Sequence, residues 1–163
     1  MRQPSLSYLL TNDWTLLSNK SERLKFRLGE EIIHAGSRLS SIFIIRSGSA
    51  SVELPTADST ATLAVLDEGD VCGEIAFLGD GMATATVIAR DMEVEVDAIP
   101  VHDLLRLCEE IPGFGFRLFR SLAGILAQRL KHSAGELVRV LNAKVRPSVR
   151  TLNELISKSP QAL

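Results

Sequence analysis

Gly69-Asp70-Val71-Cys72-Gly73-Glu74-Ile75-Ala76-Phe77-Leu78 is followed, after a turn containing Gly79 and Gly81, by Thr84-Ala85-Thr86-Val87. A glycine-rich turn that runs into a short helix presents backbone N–H groups and the positive end of a helix dipole, donors that cost little to bury beside a small anion. Gly73 would let the backbone approach such a group closely. The plainer use of the same residues is that the glycines serve ordinary turns and Glu74 is a solvated carboxylate.

The flanks on both sides of this stretch read as strands. Leu24 to Phe26, Glu31 to His34, Ile42 to Arg46, Ala50 to Leu54, Thr60 to Leu66, Thr84 to Ala89 and Glu93 to Ala98 are short β-type runs, with glycines between them. Many short strands at this density predict an antiparallel sandwich or barrel. Glu93-Val94-Glu95-Val96-Asp97 alternates strictly, which places valines inward and carboxylates on a solvated face.

Further out, the period becomes helical. Leu6, Leu9, Leu10, Trp14 and Leu17 predict one or two short N-terminal helices within residues 1–20, ahead of a β region over 21–110. Val101 to Cys108 makes a short helix, and Pro112 suits the opening turn of another. Phe119, Leu122, Leu126, Leu130, Leu137 and Leu141 then form one apolar stripe on a long helix over 111–146, with a short helical tail over 147–163. About 30 residues of helix span roughly 45 Å, more than a small barrel needs for cover, so the stripe calls for a partner. The alternative use of the stripe is packing on the chain's own barrel.

Taken together, the stretch at 69–87, Phe26-Arg27-Leu28-Gly29-Glu30-Glu31-Ile32-Ile33-His34-Ala35-Gly36 and Ile42-Phe43-Ile44-Ile45-Arg46-Ser47-Gly48 resemble cyclic-nucleotide-binding domains. These are the β-roll modules of catabolite-activator-type regulators, kinase regulatory subunits and gated channels. The resemblance covers roughly residues 10 to 143. It implies a mainly β fold with flanking helices, a jelly-roll-like double-stranded barrel and a long C-terminal helix. It also implies a regulatory, non-catalytic role with cAMP or cGMP as the ligand. Carried over by motif, Gly73, Glu74, Ile75, Ala76, Ala83 and Thr84 form the cassette: Glu74 accepts from the ribose 2′-hydroxyl, Ile75 and Ala76 donate amides to the phosphate, and Thr84 adds a hydroxyl. His132 and Ser133 fall where such regulators reach the base, although an ordinary surface histidine is the plainer reading. The long helix implies a homodimer.

One position departs from the family pattern. An arginine ordinarily precedes the Thr-Ala pair and forms the ion pair with the cyclic phosphate; here that position is Ala83, preceded by Met82. Between Arg46 and Arg90 the chain has no Lys, Arg or His. A charge-assisted hydrogen bond contributes roughly 1.5 to 3 kcal/mol, and each ~1.4 kcal/mol is about tenfold in affinity. The cassette is therefore expected to bind a cyclic nucleotide weakly, or to take a less anionic ligand. A module that kept the fold only for interaction or dimerisation explains Ala83 equally well.

Composition narrows the remaining classes. The chain has 163 residues, 45% hydrophobic and 23% charged, which suits one globular core rather than disorder. Aromatics are 5%, too few for a stacking platform for single-stranded nucleic acid. The net charge of -2 conceals a split: +1 over residues 1–59, -10 over 60–110 and +7 over 111–163. Cys72 and Cys108 are the only cysteines, and His34, His102 and His132 lack metal-ligand spacing, so a cupin-like metalloenzyme is a distant alternative. No nucleophile elbow, P-loop or haem-specific residue is evident. The absence of a signal peptide or membrane-length apolar run predicts a cytoplasmic protein without membrane contact. The 17 residues after Arg146 are too few for a helix-turn-helix domain, so DNA binding is not expected. Lys144, Arg146, Arg150 and Lys158 then suit a solvated helix end or an acidic protein partner.

Overall fold

The structure, a computed structural model, describes residues 6–56 and 59–157. The elements in chain order are α1 (Thr11–Lys20), β1 (Glu22–Arg27), β2 (Glu31–Ile33), β3 (Ser41–Ser47), β4 (Ala50–Pro55), β5 (Thr60–Leu66), β6 (Val71–Cys72), α2 (Glu74–Leu78), β7 (Thr86–Ala89), β8 (Glu93–Pro100), α3 (Val101–Glu110) and α4 (Phe114–Ser157). The chain divides into two units, Met1–Ile125 and Leu126–Leu163.

The strands of the first unit form two antiparallel four-stranded sheets, ordered β1-β8-β3-β6 and β2-β7-β4-β5. The expected barrel is not closed. Each sheet keeps its own two edge strands, and the helices, not further strand pairing, cover one face of the first sheet. The roll is thus a pair of facing sheets with helical flanks.

Alternation along the strands creates two separate cores. Ile45, Ala50, Leu66, Cys72, Ala83, Val87, Val94 and Val96 meet between the sheets. Ile42 and Ile44 on β3, Val71 on β6 and Ile99 on β8 pack with Leu6, Leu17, Leu104, Phe114, Leu118 and Leu122 from the helical segments, and Trp14 lies against the same cluster. A fully buried side chain of this size contributes roughly 1.5–3 kcal/mol by removal from water.

The outer face of β8 differs from the solvated face expected of it. Register places Arg23 opposite Asp97, Lys25 opposite Glu95 and Arg27 opposite Glu93. Lys25 Nζ donates to Glu93 at 2.9 Å and lies 2.8 Å from Glu95, and Arg23 Nε lies 2.6 Å from Asp97. Arg46, the extra residue where the β3–β8 register shifts, reaches Asp97 from the other side. Hydrogen bonds from Lys25 hold the Glu95 carboxyl below its usual range, and the same carboxylates push Lys25 up to about 12. Three of the twelve acidic residues of 60–110 are therefore matched by cations distant in sequence.

The helical end requires two corrections. Leu122 is not part of an exposed stripe: it is wholly buried in the first unit's own core, because Phe114, Leu118, Leu122 and Ile125 share the inward face. Phe119, Leu130, Leu137 and Leu141 remain exposed, and Leu126 is half-buried. Second, α4 does not stop before Pro147 but continues to Ser157. Proline removes one donor, yet its φ near −65° is already helical. The side chains of Lys144, Arg146, Val149, Arg150, Leu152, Leu155 and Ile156, and all of Lys158, lie outside the described residues.

Candidate functional site

The cassette begins at β6, a two-residue strand whose Val71 and Cys72 are buried against β3. Gly73 then turns the chain with φ +86°, a left-handed conformation that suits glycine. A side chain there would also meet Leu39 Cδ1 at 3.2 Å and Ser41 O at 3.4 Å. The close approach that Gly73 permits is thus an approach to β3, which seats the cassette on the first sheet.

The α2 helix follows at once. Its first-turn amides at Ile75 and Ala76 have no carbonyl within the helix to receive them, as at any helix start. Glu74 is 2% exposed, a carboxylate buried as deeply as the apolar side chains around it, and Ala76 is buried too. Ile75 and Leu78 face outward. The turn closes with Gly79 N–H donating to Ile75 O and Gly81 N–H to Ala76 O.

Residues 82–84 rejoin the roll. Ala83 N–H donates to Ser37 O at 2.8 Å, and Gly36 N–H donates to Ala83 O at 2.7 Å. The Ala83 side chain belongs to the apolar cluster between the sheets, and Thr84 is exposed. Gly73, Glu74, Ile75, Ala76, Ala83 and Thr84 are thereby gathered on one turn-helix-turn unit. His132 and Ser133 are exposed residues of α4 in the second unit.

A cation that sequence spacing did not reveal comes to this turn from the β2–β3 connection. Arg38 forms an isolated bridge with Met82, and its Nη1 donates to Asp80 O at 3.3 Å. Gly81 makes room for it, because a Cβ there would lie 2.9 Å from that nitrogen. In an antiparallel bridge the two partners share a face, so Arg38 stands with Met82 and opposite to Ala83. Arg38 is exposed, and it braces the outside of the turn.

The cassette also touches α4. Phe77 and Phe119 stack with ring centroids 5.9 Å apart and planes 5° from parallel. On the same stretch of α4, Arg117 donates from both Nε and Nη2 to the Asp13 carboxylate of α1 at 2.7 Å. These contacts join α2 and α1 to the same opening turns of α4, over sequence separations that no local pattern discloses.

Comparison with known proteins follows the same outline. The family described as the cyclic nucleotide-binding domain matches residues 23–111. Glutaminase 1 of Bradyrhizobium diazoefficiens is 32% identical over 128 residues, which is 78% of this chain and 20% of that protein. Cyclic GMP-binding protein C of Dictyostelium discoideum is 30% identical over 137 residues, 79% of this chain and 5% of that protein. The chain thus spans a fifth or less of these two relatives. The crystal structure of the Thermus thermophilus catabolite activator protein superposes with a TM-score of 0.70 at 25% identity, covering 84% of this chain and 62% of that one.

Proposed function

The chain belongs to the cyclic nucleotide-binding domain family, and we propose on that footing that it is a non-catalytic sensory module whose cassette takes a cyclic nucleotide weakly. The observation that carries this reading is the position of Ala83, buried in the inter-sheet apolar cluster at the place where the family puts a phosphate-pairing arginine. Glu74 accepts the ribose hydroxyl, the Ile75 and Ala76 amides receive the phosphate, and Thr84 adds a hydroxyl at its rim. Without a cation at 83, the phosphate is held by neutral donors alone, each about half as strong as a charged one.

The output passes through α4. Phe77 couples the cassette helix to Phe119, so a ligand that shifts α2 shifts the opening turns of α4. We assign α4 a second role as the contact between two copies. Phe119, Leu126, Leu130, Leu137 and Leu141 are among its apolar residues outside the first unit's core, and Phe116, Ala123, Leu130 and Leu137 recur every seven residues, the period of a two-stranded coil.

Calorimetric titration of the protein at tens of micromolar with cAMP and with cGMP tests the sensory reading. Binding in the micromolar range or weaker is expected. Submicromolar affinity would show that Ala83 does not weaken the site. No heat at millimolar nucleotide would favour the second reading, an interaction module that retains the fold alone, for which the apolar surroundings of Ala83 also speak.

A further inference from the structure

We infer that β5 is a docking edge, at which an extended segment of a partner protein, flanked by lysine or arginine, adds a further strand to the second sheet.

The four strand edges of the roll are not alike. The edge strand β1 carries Arg23, Lys25 and Arg27, β2 has three residues, and β6 has two. Short edges and cationic side chains are ordinary ways in which a sheet keeps foreign strands away. Neither device protects β5. Its seven residues, Thr60–Leu66, include no charge and no proline. It ends the order β2-β7-β4-β5, so no strand among the described residues pairs with its outer side. An outermost strand turns part of its N–H and C=O groups away from the sheet, where they can template a further ladder.

The side chains suit the same use. Val52 pairs with Ala64 but Glu53 pairs with Thr62, so Leu63 is an extra residue in β5. Val52 packs against the core between the sheets, which places Ala64 on the inner face. Val65, opposite Ser51, and Thr62, opposite Glu53, therefore stand on the outer face. Leu63 is 51% exposed and Val65 38%. The bulge at Leu63 bends the strand but adds no charge to it. Side chains of an added strand would cover both apolar residues from the flank.

Charge selects the occupant. From Ser47 to Ala89 the sequence has seven acidic residues and no Lys, Arg or His. Glu68 is exposed just beyond the end of β5, and Glu53 stands beside Thr62 on β4. A second copy of β5 would bring two such cation-free stretches against each other. A partner segment with a β-branched centre and basic ends instead matches an uncharged strand with carboxylates around it.

Hydrogen–deuterium exchange of the full chain without nucleotide tests this with synthetic peptides of alternating valine and threonine. One peptide ends in lysines, one ends in glutamates, and one is the lysine peptide with a proline at its centre. The lysine peptide is expected to slow exchange at residues 60–66 severalfold, and to bind severalfold more tightly than the glutamate peptide in fluorescence anisotropy. The proline peptide should give no protection, because it cannot complete the ladder. Leu63→Lys should remove the protection, and Val65→Lys should do the same and serves where the first variant does not fold. Leu105→Lys, at an exposed position of α3, should leave it unchanged. Protection that is absent from 60–66, or that survives both β5 substitutions, would overturn the docking edge. Equal binding of the glutamate peptide would overturn the basic partner. Protection of 60–66 that rises with protein concentration alone would assign the edge to a second copy and overturn the inference as well. The cassette takes no part in these measurements, so their failure leaves the sensory reading standing, and failure of cAMP and cGMP to bind leaves the docking edge standing.

Discussion

An arginine at position 83 would enter the apolar cluster between the sheets, where Ala83 is 8% exposed. Burying its charge without a partner costs at least about 2 kcal/mol. Ala83→Arg is therefore expected to lower the ligand-free melting temperature and to raise cyclic-nucleotide affinity by tenfold or more, measured by thermal melts with and without ligand. A variant destabilised equally in both conditions would mean that the pocket does not present the phosphate to position 83. Asp13 makes a different prediction. Hydrogen bonds from Arg117 hold its carboxyl below the ordinary value of 3.8 despite burial. A depressed folded pKa contributes stability that is complete above the unfolded value and is lost as pH falls through the folded one. The stability gap between wild type and Asp13→Asn, about 2 kcal/mol near neutral pH, should begin to narrow below about pH 4 and close only below the depressed folded value, as followed by urea titrations. Ala83 could be read from the motif, because its place is set by neighbours in sequence. The Asp13–Arg117 pair could not, because its partners are 104 residues apart and neither lies in a recognisable pattern.

The helix α4 shows where periodicity stops being sufficient. Its apolar residues follow steps of three and four throughout, but burial separates them into an inward face, with Phe114, Leu118 and Leu122, and an exposed set, with Leu130 and Leu137. A helical wheel alone cannot tell the two sets apart, since both are leucine-rich and the angular drift between them is small over a few turns. The distinction yields paired expectations. Leu122→Ala should cost about 2–5 kcal/mol of folding stability and leave self-association unchanged. Leu130→Glu should leave the first unit folded and abolish self-association in sedimentation velocity. Loss of association in Leu122→Ala alone would reverse the assignment. The strand β6 escaped for a related reason, since its two residues are fewer than any period needs to declare itself, whereas the glycine-rich turn itself announced the short helix α2.

For the whole molecule, the charge asymmetry read from sequence takes on a different meaning once the strands are paired. Glu93, Glu95 and Asp97 lie beside Arg23, Lys25 and Arg46, so these three of the centre's twelve acidic residues form an internal ladder and not a free field. The exposed Lys25 pairs contribute little each and are screened by salt, whereas Asp97 is buried between Arg23 and Arg46. Raising sodium chloride from low to high concentration should thus shift the melting temperature by only a few degrees. A large loss of stability would show that the ladder holds the sheet together. The strand runs and the glycine turns were readable because alternation and turn chemistry are local; the pairing of β1 with β8 was not, because antiparallel register joins the two ends of the roll. Trp14 gives the molecule one more property. It is the chain's single tryptophan, adjacent to Asp13 and packed against the helical core. Its emission therefore comes from one place in the molecule, so the protein carries a native optical gauge at the junction of α1 and α4, readable in stopped flow without a dye.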